Sequence, residues 1–81
     1  MAFQLYGDVV LLTDLPEKGL RKGDIGTVVE RHNVSGLETG YSVEFFDMLG
    51  NTVAVECLPE SSVRLPTEAD RPAVRTDKLA A

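Results

Sequence analysis

Three groups of residues in this chain have the types that chemistry requires. They are the lone His32 and Cys57, the carboxylates Glu30, Glu44, Asp47 and Glu56, and a basic trio of Lys18, Arg21 and Lys22. A nucleophilic centre needs a Ser or Cys activated by a base held beside it. Here the only histidine falls in a stretch with turn character, and no serine sits in a recognisable elbow. His32 reads as a solvated loop residue, and Cys57 as a small buried hydrophobe. One His and one Cys are too few for a transition-metal site. The four carboxylates occupy outward strand positions, where sheets carry solvated charge. The other readings for them are an acidic patch for a basic partner and an oxygen-ligand cation site. Gly19, Gly23 and Gly26 lack the lysine-serine ending and the following helix of a phosphate cradle, so they read as structural. No residue pattern implies a catalytic centre, a cofactor or a metal.

The elements that position these residues must come from 81 residues, enough for one domain. A unit of this size buries only about 60 % of its unfolded surface, which leaves little room for a deep substrate cavity. With 43 % hydrophobic and 26 % charged residues the composition is that of a folding chain. A single cysteine, no leader-like start and no long apolar run point to a cytoplasmic protein that neither is exported nor enters a membrane. Net charge is −5. It all falls before residue 67: the first 66 residues hold five basic and ten acidic side chains, and the remainder is balanced at three each. An acidic domain repels phosphate backbones, which ranks nucleic acid below protein as a partner.

The pattern along the chain is that of short strands and turns. Asp8 to Thr13 forms the first strand, with Val10 and Leu12 on the buried face and Val9 and Leu11 opposite. Leu15 to Asp24, punctuated by Pro16, Gly19 and Gly23, is a folded loop anchored by Leu15 and Leu20. Ile25 to Arg31 resumes a strand with Val28 inward, and Gly26 marks a bulge or a close backbone approach. His32 to Gly40 is a hairpin loop. Tyr41 to Asp47 alternates Tyr41, Val43 and Phe45 against Ser42 and Glu44, the strongest period of two in the chain. Gly50 supplies a positive-φ turn into Thr52 to Glu56, where Val53 and Val55 favour one buried face and Ala54 with Leu58 the other. After a one-turn connector from Cys57 to Ser61, a short strand from Ser62 to Leu65 closes the sheet on Val63 or Leu65. The expected fold is all-β, a small SH3-like five-stranded antiparallel barrel over residues 1–66. Residues 67–81 lack an apolar stripe and read as a flexible tail.

The aromatic residues sharpen the picture. Phe45 and Phe46 are adjacent on one strand and so point to opposite faces. If Phe45 fills the core, Phe46 faces outward, where Val9, Leu11 and Val29 would join it as an interface for self-association or another protein.

GDVVLLTDLPEKGLRKGDIGTVVE followed by YSVEFFDMLGNTVAVECLP resembles a group of short bacterial proteins, domain of unknown function 4926. The likeness runs from Asp8 to Leu65 and implies an SH3-like barrel with an accessory or antitoxin-like role. Gly7, Asp8, Gly23, Gly26 and Val28 also echo the KOW element of ribosomal and transcription proteins. That resemblance implies nucleic-acid binding, with Lys18, Arg21 and Lys22 as phosphate contacts. A similar barrel completes the β-subunit of nitrile hydratase, which implies an accessory rather than a catalytic role. The expected function is therefore a non-enzymatic protein-binding module, with a KOW-type nucleic-acid-binding domain as the alternative.

Overall fold

In a computed structural model, which describes residues 3–72, five antiparallel strands form one sheet. They are β1 Asp8–Leu11, β2 Ile25–His32, β3 Gly40–Phe46, β4 Thr52–Pro59 and β5 Val63–Arg64. The order β4-β3-β2-β1-β5 makes β1 to β4 a meander and returns the chain so that β5 lies beside β1. The all-β, five-stranded antiparallel class is the one expected. The hydrogen-bonded ladder stays open, with β4 and β5 as its two edges. Leu58 of β4 and Val63 of β5 nevertheless belong to the same core cluster, so the sheet curls about a single interior.

That interior follows from the alternation in β3. Tyr41, Val43 and Phe45 are buried and lie opposite Leu58, Glu56 and Ala54 of β4. Val28 joins them from β2, and Val9 and Leu11 from β1. Each large apolar side chain fully buried in this way stabilises the fold by roughly 1.5–3 kcal/mol. The face expected of β1 is therefore inverted: Val9 and Leu11 point inward, and Leu12 is exposed. The run DVVLL is apolar on both faces, so periodicity could not choose between them. Pairing chooses, because Val9 lies opposite Gly26.

Gly26 is the close approach, not the bulge. A Cβ built there would sit 2.5 Å from Val43 Cγ1 and 3.0 Å from the Glu44 carbonyl oxygen. The missing side chain is what lets β2 and β3 bend tightly over the core. The irregularity in β2 instead falls between Val28 and Glu30, at Val29.

Three local devices hold the ends. Tyr41 donates its hydroxyl hydrogen to Glu60 Oε1 (3.1 Å) and accepts the Phe3 backbone N–H (3.0 Å), with the Phe3 ring edge-on at 5.3 Å. Leu15 and Leu20 bridge across the loop between β1 and β2, and Leu20 enters the core. In the turn from β3 to β4, Asp47 Oδ1 accepts the backbone N–H groups of Leu49 and Asn51, both at 2.9 Å, while Gly50 takes φ +86°. The hydrogen bond from the Asn51 backbone is the largest of several that hold the Asp47 carboxyl below its ordinary value.

β4 continues to Pro59, beyond the expected end at Glu56, and the connector follows as a 3-10 turn at Glu60–Ser62. Among the described residues no helix is long and apolar enough to cross a membrane.

Candidate functional site

Ile25, Phe46 and Val53 lie on the side of the sheet away from the core. Val10 pairs with Ile25, and the next residues along β3 and β4 bring Phe46 and Val53 into the same band. Phe46 is 44 % exposed, Ile25 41 % and Val53 50 %. A groove of about 490 Å³ opens at this band; Met48, Asp24 and Asp47 line it with these residues, and the core side chains Leu20 and Phe45 reach it as well. Val55, 52 % exposed, extends the apolar surface along β4. This face can exclude water from an apolar segment laid across it, and the two carboxylates of its lining outnumber the single guanidinium of Arg71, a balance that favours positive charge at the segment's flanks.

Phe46 thus stands where the sequence places it, but its expected companions do not. Val9 and Leu11 are fully buried in the core and take no part in the surface. Val29 is half-buried at the β2 irregularity and does not line the groove. Their places are taken by Ile25 and Val53. Val53 was legible as one of two registers for its strand; Ile25 gave no signal beyond opening a strand.

The same register corrects two further expectations. Cys57 shares the outer face with Val53 and Val55 and is exposed rather than buried. Glu56 turns to the core side opposite Val43, where it is half-buried and meets Lys18 Nζ at 3.8 Å. The basic trio lies on the loop between β1 and β2 amid carboxylates. The Arg21 backbone N–H donates to Asp24 Oδ2 (2.9 Å) and that of Lys22 to Asp14 Oδ1 (2.8 Å).

His32 is the last residue of β2 rather than a loop residue, and its Nε2 is hydrogen-bonded to Ser42 Oγ at 2.8 Å. Glu30 Oε1 stands 3.7 Å from that same nitrogen. In a hydrolytic triad the acid orients the opposite ring nitrogen, leaving Nε2 to serve the nucleophile. With Ser42 and Glu30 both on Nε2, this cluster ties two strands together and does not reproduce a triad.

The chain after β5 returns toward the apolar face. Arg64 holds Asp70 through two parallel bonds, Nη1 to Oδ2 at 3.0 Å and Nη2 to Oδ1 at 2.7 Å, and Asp70 Oδ2 also accepts the Thr67 backbone N–H. The Arg64 guanidinium, followed by the Thr67 N–H, holds the Asp70 carboxyl well below its ordinary value. Residues 67–70 form a turn, and Arg71 and Pro72 line the same groove as Phe46. Of the segment expected to be a flexible tail, 73–81 lie outside the described residues.

Fold and surface together define a small all-β domain with a half-exposed apolar band on its outer face. The chain belongs to the family described as Domain of unknown function (DUF4926), whose match spans residues 5–65. No curated protein and no solved structure matches it.

Proposed function

We propose that this protein is a non-enzymatic binding module that takes up an apolar polypeptide segment flanked by basic residues. The observation that carries this reading is the row Ile25, Phe46 and Val53, each about half exposed in one groove. Apolar side chains of this size grouped on one surface are the usual mark of a protein contact. Asp24 and Asp47 outnumber Arg71 in the groove lining, and with a chain net charge of −5 this balance disfavours acidic partners and steers basic ones toward the groove.

Selection of random peptides displayed on phage against the immobilised full-length chain tests this. Enriched peptides should combine large apolar residues with Lys or Arg, and Phe46→Glu should abolish the enrichment while leaving the circular dichroism unchanged. Equal enrichment on the Phe46→Glu chain, or none on either, would overturn the reading.

A further inference from the structure

The open ladder has two edges, and they are unlike. β5 is two residues long, carries Arg64 and is followed closely by the turn that Arg64 and Asp70 clamp. β4 is eight residues long, and Glu56 is its only charged residue. A long edge strand without lysine or arginine is a template for another strand, because its outward backbone groups have no partner. We infer that β4 pairs with the β4 of a second copy of this chain, antiparallel about a two-fold axis through Val55. The inference rests on the β4 backbone and is independent of the groove beside Phe46.

The ladder shows which backbone groups are free. The Glu60 N–H donates to the Thr39 carbonyl at 2.9 Å, in the same register as the β3–β4 pairs. Counting from it, every second pair exchanges hydrogen bonds: Tyr41 with Leu58, Val43 with Glu56, Phe45 with Ala54. The intervening pairs, Ser42 with Cys57 and Glu44 with Val55, turn their N–H and C=O groups away from each other. Those of Val55 and Cys57 therefore point to the open side of β4. Among the described residues, no backbone hydrogen bond outside the strand ladders involves Val53 to Cys57.

The sequence of this edge is complementary to itself in one register. With Val55 facing its counterpart, the two copies exchange N–H···O=C bonds at the axis, Cys57 faces Val53, and Glu56 faces Ala54. No like charges stand directly opposite, and each Glu56 keeps Lys18 Nζ of its own chain at 3.8 Å. Moving the axis to Glu56 would set two carboxylates face to face, which is destabilising. Moving it to Cys57 would place Pro59, which has no N–H, against Val55 and run the ladder into the Glu60–Ser62 turn. Moving it to Ala54 would bring the register shift at that end of β4 to the centre of the ladder.

The side chains that meet in the Val55 register are those left uncovered. Val53 and Val55 are 50 % and 52 % exposed, and Cys57 is exposed. On the outer face they form the cross-strand pairs Val55 with Val55 and Val53 with Cys57, the β-branched contacts that stabilise a sheet. Each copy is acidic overall, at −5, and this edge brings them together where the one carboxylate is already paired.

Sedimentation velocity on the full-length chain should show a dimer that forms as concentration rises. Val55→Pro removes the outward N–H without taking a bond from β3 and should be monomeric, with the circular dichroism of a folded chain. Val55→Lys, which adds the charge that guards natural edges, should be monomeric too and serves if the proline variant does not fold. Phe46→Glu should dimerise as wild type does. Facing residues in a hydrogen-bonded pair have Cα atoms about 5.5 Å apart, within reach of a disulfide. Val55→Cys/Cys57→Ala should therefore oxidise to a covalent dimer. Wild type should not, because its two Cys57 residues are offset by about 13 Å along the ladder.

A wild-type chain monomeric up to about 1 mM would overturn the inference. So would a dimer that both Val55 substitutions leave intact, or a wild-type covalent dimer through Cys57. A dimer lost in Phe46→Glu but kept in both Val55 variants would place the second copy on the groove and overturn it as well. Peptide capture at the groove is read in a separate assay, so either reading can fail while the other stands.

Discussion

Both faces of this sheet carry large apolar side chains, and those side chains meet different fates. On the inner face Val9, Leu11, Val28, Tyr41, Val43 and Phe45 are enclosed, with the tyrosine hydroxyl satisfied by Phe3 and Glu60. On the outer face Ile25, Phe46, Val53 and Val55 are each about half exposed. A sheet with one solvated face would ordinarily be polar on that side. The contrast teaches that half-exposed apolar residues of the outer face bury less surface in the monomer than those of the inner face, which is the difference on which the proposed binding surface rests.

Substitutions on the two faces should therefore diverge. The largest effect is expected for Leu11→Ala, which removes a fully buried side chain and should lower stability to denaturant by about 2–5 kcal/mol. Urea unfolding checks it, and a change as small as that of a surface residue would show that Leu11 does not belong to the core. Gly26→Ala comes next. Its new methyl would meet Val43 Cγ1 at 2.5 Å, and the repacking should cost about 1–3 kcal/mol in the same assay.

Asp70→Asn should have a smaller effect, and a pH-dependent one. Asp70 is held below its ordinary value of 3.8, so its stabilising contribution is complete above that value and is lost as pH falls through the lower value of the folded state. The gap in melting temperature between wild type and Asp70→Asn should be constant from neutral pH down to about pH 5 and close as acid is added further. A gap that widened in acid would contradict the clamp. The smallest effect on stability is expected for Phe46→Glu, within about 0.5 kcal/mol of wild type.

Much of the inner face was legible in the sequence because Tyr41 to Phe45 alternates cleanly and Leu15 and Leu20 flank a glycine- and proline-bearing loop. Phe46 as the outward aromatic followed from the same alternation. What was not legible turned on register. The DVVLL run gives β1 no polar side, so periodicity leaves either face open to Val9 and Leu11, and only their pairing with β2 places them in the core. Val53 and Val55 compete with Ala54 and Leu58 for the interior, and only the pairing of Phe45 with Ala54 settles that Cys57 faces out and Glu56 turns toward Lys18. The return of the chain through Arg64 and Asp70 joins residues whose charges alone gave no sign of a partner.

The outer face as a binding surface is the central claim, and calorimetric titration of one selected apolar-basic peptide into wild type and into Phe46→Glu tests it most directly. Binding to wild type should carry the negative heat-capacity change of apolar burial and weaken at least about tenfold in Phe46→Glu, with the melting temperature unchanged. Equal affinity for the two chains would contradict it.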